Sequence, residues 1–87
     1  MQDASEGQRF ESRIPPDHPL KVPVEATVTD ALAAADDWRC RILASSAVTC
    51  WIVEFVRTDG QREDVLVQPS RFDHERFRSL VAAALRQ

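Results

Sequence analysis

His18, His74, Cys40, Cys50 and a few acids beside them are the residues of this chain best suited to chemistry. His74 has Ser70, Asp73 and Glu75 close by in sequence, the residue types of a hydrolytic triad. A working triad needs nucleophile, base and orienting acid to converge from separate elements. These four are neighbours around one helix start, where Asp73 is needed as the cap and His74 faces water. His18 lies in Pro15-Pro16-Asp17-His18-Pro19, a stiff exposed loop. Zinc would require short pairs such as C-x-x-C or H-x-x-x-H, and the chain has neither. Gly7 and Gly60 are its only glycines, too few for a phosphate-cradling loop. The expectation is therefore no enzyme, no cofactor and no metal.

The arginines are the other chemically marked group. Residues 1–37 hold eight acidic and three basic side chains, while residues 38–87 hold six acidic and eight basic, within an overall charge of −3. All eight bases of the second half are arginines, and Lys21 is the single lysine. Arginine pairs bidentately with carboxylates or phosphates and is enriched where proteins touch. Arg39 and Arg41 share one strand face, Arg57 and Arg62 flank a hairpin turn, and Arg76 and Arg78 lie on the last helix. With Trp38, a residue type common at interface anchors, these form the candidate partner-binding set. The excess of positive charge is smaller than a dedicated nucleic-acid domain carries.

The elements that must position these residues are legible mostly in the second half. Residues 1–19, polar and carrying Pro15, Pro16 and Pro19, read as a disordered amino-terminal tail with Phe10 and Ile14 as anchors. Residues 20–87 read as a single α+β domain. Leu20–Ala26 alternates apolar and polar, and Pro23 would confine such a strand to an edge. A short helix follows from Thr27 or Thr29 to Asp36. Trp38–Ala44 has period-2 alternation, with Trp38, Cys40 and Ile42 on one face and Arg39 and Arg41 on the other. After a Ser45-Ser46 turn, Ala47–Val56 is apolar on both faces, as a central covered strand would be.

Thr58-Asp59-Gly60 marks a hairpin whose return strand is Gln61–Gln68. A turn with Gly60 in a bulge aligns Trp51 with Val67 and Val53 with Val65, at the cost of setting Glu54 opposite Asp64. Pro69 ends the strand. Asp73 caps the final helix, with Phe72 and Phe77 as a hydrophobic staple and Phe77, Leu80, Val81, Ala84 and Leu85 as its stripe. The expected architecture is a small antiparallel sheet of three or four strands, a short amino-terminal helix, and a carboxy-terminal helix packed on one face. The first helix or a second copy covers the opposite face. Cys40 and Cys50 would face each other only if the first hairpin turned through Ala44-Ser45-Ser46. Reduced buried thiols are the simpler reading.

A chain of 87 residues buries only about 60% of its unfolded surface, so a partner often supplies the remaining stability. No apolar run is long enough to span a bilayer, and the acidic start Met1-Gln2-Asp3-Ala4-Ser5-Glu6 is unlike a secretory signal, which makes the cytoplasm the expected compartment. Trp51-Ile52-Val53-Glu54-Phe55, Asp59-Gly60 and the valine-rich return are loosely similar to hairpins in several mobile-element proteins, a likeness of one supersecondary unit that assigns no residue a role. The functional expectation is a non-catalytic interaction protein, an adaptor or a small inhibitor docking on a larger protein or protein–nucleic acid complex. Small anti-defence proteins of phages and mobile elements share this size and lack of catalytic residues. The alternatives are a nucleic-acid-binding accessory protein using the same arginines and a self-associating subunit, such as a homodimer.

Overall fold

A computed structural model describes residues 9–45 and 49–86. It is an α+β fold of four strands and two helices: β1 (Phe10–Ser12), α1 (Lys21–Ala33), β2 (Trp38–Ala44), β3 (Trp51–Arg57), β4 (Arg62–Val67) and α2 (His74–Leu85), with a short 3-10 turn at Pro69–Arg71. The strands lie in chain order, β1-β2-β3-β4. β2, β3 and β4 are antiparallel, whereas β1 runs parallel to β2, so the sheet is mixed rather than purely antiparallel. A parallel pair needs a crossover, and α1 supplies it.

Two amino-terminal expectations change. The segment read as a tail contributes β1 from residue 10, and Ile14 is buried in the core; residues 1–8 lie outside the described residues. The alternating stretch around Pro23 is helix, because α1 begins at Lys21 rather than at Thr27 or Thr29. Pro23 falls in the first turn, where its missing N–H would have had no intrahelical acceptor. Val24, Val28 and Leu32 then fall four residues apart on one helical face, and all three are buried. The same residues mimic a period of two over the first seven positions, which is why the strand reading arose.

No side chain caps the start of α1, whose N-cap is Leu20. Its preceding turn is held instead by His18, whose Nδ1 accepts the Leu20 N–H at 3.0 Å and whose ring meets Trp51 edge-on at 5.8 Å. The far end is closed by Arg9. Its guanidinium donates to the carbonyls of Leu32 and Ala35, both at 2.7 Å, and to that of Trp38 at 3.2 Å. The Leu32 carbonyl belongs to the last turn of α1, Ala35 lies just beyond it and Trp38 opens β2, so Arg9 ties the helix end to the sheet, where a cation also suits the dipole.

The second half follows its sequence pattern closely. Trp51 pairs with Val67, Val53 with Val65 and Glu54 with Asp64, the bulged-turn register. Gly60 sits at φ +97°, a conformation that strains any residue with a Cβ, and its N–H donates to the Arg57 carbonyl at 2.9 Å. Asp73 accepts the Arg76 N–H at 3.1 Å, and the Phe72 and Phe77 rings lie 5.7 Å apart. Leu80 departs from the expected stripe, remaining 41% exposed.

Both helices cover the same side of the sheet. Val24, Val28 and Leu32 of α1 and Phe77, Val81 and Ala84 of α2 join Trp38, Cys40, Ile42, Val53, Phe55, Val65 and Val67 in one core. The expectation that α1 would shield the opposite face is therefore corrected. The crossover from β1 to its neighbour β2 places α1 on the side where α2 also packs, and among the described residues nothing covers the other sheet face.

Candidate functional site

The uncovered face is built from alternate residues of all four strands, because successive side chains in a strand point to opposite sides. Cross-strand register sorts it into three rows. The middle row is charged: Glu11 lies beside Arg41, Arg41 beside Glu54, and Glu54 beside Asp64. On one side runs an apolar row, Leu43, Ile52 and Leu66. On the other, Arg39 and Arg62 flank Val56.

Glu54 organises the middle row. It is only 5% exposed, the one buried charged residue among those described. Arg41 donates through Nε and Nη2 to its Oε1 at 3.1 and 2.9 Å, and Arg62 Nη2 reaches Oε2 at 2.5 Å. Arg62 also approaches Asp64 at 3.7 Å. This answers the like-charge conflict of Glu54 opposite Asp64: an arginine from the neighbouring position lies between the two acids. A buried carboxylate is costly unless its oxygens are paired, and here each oxygen has its own guanidinium. The arginines remain more than half exposed, so their outer edges still face solvent.

Arg39 differs. Among the described residues it makes no salt bridge, and it borders a shallow hollow of about 570 Å³ lined also by Glu11, Arg41, Glu54, Val56 and Thr58. Arg39, Arg41 and Arg62 of the candidate set therefore come together on this face. Arg57 borders the same hollow, but its guanidinium is engaged elsewhere, 5.4 Å from the Trp38 ring centroid and 2.7 Å from Asp59. Asp59 is accordingly held down at about 2, by the hydrogen bonds from Arg57 and then from the Gln61 backbone. Arg76 and Arg78 sit on α2, in the helix layer. Trp38 is 3% exposed and belongs to the core, so it cannot anchor a partner in this conformation. Its place at the inward phase of β2 determines this.

Sequence reasoning places Ile52, Val56 and Leu66 on the face opposite the last helix but expects the first helix or a second copy to cover it, since a strand apolar on both faces reads as covered on both, and it gives Leu43 no face. Leu66 is 61% exposed. The chain's six aromatic residues, by contrast, are Phe10, Phe55, Phe72, Phe77, Trp38 and Trp51, and none lies on the open face.

The residues considered for chemistry are dispersed. His74 Nε2 and Thr27 Oγ1 lie 2.9 Å apart, tying α2 to α1, while Asp73 is occupied as a cap. Cys40 and Cys50 are free thiols, and Cys40 pairs with Phe55 rather than Cys50. The turn residues Ser46 to Val48 lie outside the described residues. Burial, and then the negative charge of Glu54, raise the Cys40 thiol to about 12. Among the described residues no three His, Cys, Asp or Glu side chains are grouped as a metal site, and no helix is long and apolar enough to cross a membrane. Comparison with protein-family models, curated proteins and solved structures finds no match.

Proposed function

We propose that this chain is a non-catalytic interaction module, an adaptor or small inhibitor, that docks on a larger protein through the open face of its sheet. One observation carries the reading: an apolar row, Leu43, Ile52 and Leu66, runs beside a charged row whose arginines are fixed in place by buried Glu54. Protein contacts combine an apolar centre with arginines at the margin, and an arginine already held in one rotamer loses less entropy on binding. The balance of charge on the face favours a protein over a nucleic acid. Arg39, Arg41 and Arg62 are offset by Glu11, Glu54 and Asp64, and the face lacks the aromatic platforms on which single-stranded bases stack.

The test is affinity capture from the native cell with Arg39→Glu/Leu43→Glu, neither of which contacts Glu54, beside Arg78→Glu on the helix layer. Loss of the captured protein from the first variant alone, with an unchanged circular dichroism spectrum, is the expected result. Loss from Arg78→Glu alone would move the docking surface to the helices. A nucleic-acid role predicts instead a gel shift at low salt that weakens steeply as salt is added.

A further inference from the structure

Among the described residues the outer edge of β4 has no neighbouring strand, and its backbone orientation can be assigned. The Arg57 N–H donates to the Gln61 carbonyl at 2.8 Å, which fixes the phase of the β3–β4 ladder. Backbone groups alternate in an antiparallel pair, so Glu63, Val65 and Val67 bond inward to β3. Arg62, Asp64 and Leu66 direct their N–H and C=O groups outward. Exposed edges are usually blunted by proline, by charged side chains or by a bulge. The span Arg62–Val67 has no proline and a continuous register against β3, and its charges, Arg62, Glu63 and Asp64, are of both signs, so they can pair with an edge of the same composition. Two of the three large apolar residues left exposed among those described, Leu66 and Leu80, flank this edge, one on the open face and one on α2.

We infer that β4 pairs antiparallel with β4 of a second copy of this chain, joining two sheets into one of eight strands. Charge selects the occupant. The groups around the edge are Arg62, Arg71 and Arg76 against Glu63, Asp64 and Asp73, a balanced set that suits itself better than a strongly acidic or basic strand. Two-fold pairing centred on Glu63 sets Arg62 opposite Asp64 of the second copy, twice over by symmetry. Glu63 then meets its own copy on the helix side, where Arg71 and Arg76 line the edge. In this register Arg62 and Asp64 of each copy exchange backbone hydrogen bonds across the two-fold, and the described strand left at the outside of each sheet is β1, three residues long, so assembly stops at two. The joint lies in the plane of the sheet and leaves both open faces accessible.

Sedimentation of the full chain over micromolar to millimolar concentrations tests this. The mass should rise from 9.8 kDa toward twice that value. Asp64→Pro removes an outward N–H and the carboxylate that meets Arg62 of the second copy, keeps the bonds to β3, and should stay monomeric with an unchanged circular dichroism spectrum, whereas Val65→Pro breaks the bond to β3 and should unfold. Amide hydrogen exchange of the unaltered protein gives a second readout, with Arg62 and Asp64 slowing as concentration rises. A wild-type monomer throughout, or a dimer with those two amides still exchanging fast, would overturn the inference. The docking reading is tested separately, because Arg39→Glu/Leu43→Glu should leave the dimer intact.

Discussion

Glu54 holds its buried position through two guanidiniums from different strands, so removing either one leaves a partner and removing both leaves none. Arg41→Ala and Arg62→Ala should each cost about 1 kcal/mol, the usual net value of such a bond between partly exposed groups. The double variant should cost about 3 kcal/mol, more than the sum, because a carboxylate is then stranded under the sheet surface. Urea unfolding of the four proteins measures the coupling, and simple additivity would contradict the bridging role. Cys40 gives a second residue-scale prediction. Its folded value, about 12, stands above the usual thiol value, so the unfolded chain loses this proton first as pH rises. The stabilising contribution is complete below about 8.5 and is lost as pH climbs toward the folded value, with a slope of at most about 1.4 kcal/mol per pH unit. Cys40→Val should flatten that alkaline slope in urea unfolding, and Cys40 should resist alkylation until the protein is denatured. Asp59 has the opposite sign. Its depressed value supports the hairpin above about 4 and loses that support as pH falls toward about 2, so Asp59→Asn should weaken the acid dependence.

At the scale of elements, α1 depends on a residue well outside itself. Arg9→Ala should remove the closure of its last turn and cost about 2 kcal/mol, a fall in midpoint of roughly 10 °C by thermal melting for a domain of this size. Lysine should restore little, since one ammonium cannot reproduce a planar fork serving three carbonyls. This dependence explains how far the sequence was readable. Hairpin register, the glycine of the turn, the Asp73 cap and the phenylalanine staple all rest on local chemistry, in residues a few positions apart. The arginines of the open face were visible for the same reason, through strand alternation. β1 and the closure of α1 rest on contacts between residues more than twenty positions apart, Arg9 with Leu32 and Trp38 among them. No local pattern announces such a contact, and a polar stretch with three prolines gives every sign of a tail. The side of the sheet on which α1 lies is likewise set by the crossover, not by its own residues.

The whole molecule is a two-layer arrangement with all of its aromatic weight between the layers, and the apolar surface left on the described residues lies on the uncovered face, along β4 and at Val22 of α1. A sheet whose spatial order repeats its chain order has a further consequence for how it assembles. β2, β3 and β4 can join one after another through short connections, each closing a small loop onto a strand already in place. β1 cannot follow that rule, since it is made before α1 and β2 yet has to wait for both before it has anything to pair with. Newly made chains should therefore acquire the hairpins without delay and fasten β1 last, with Arg9 arriving as the latch.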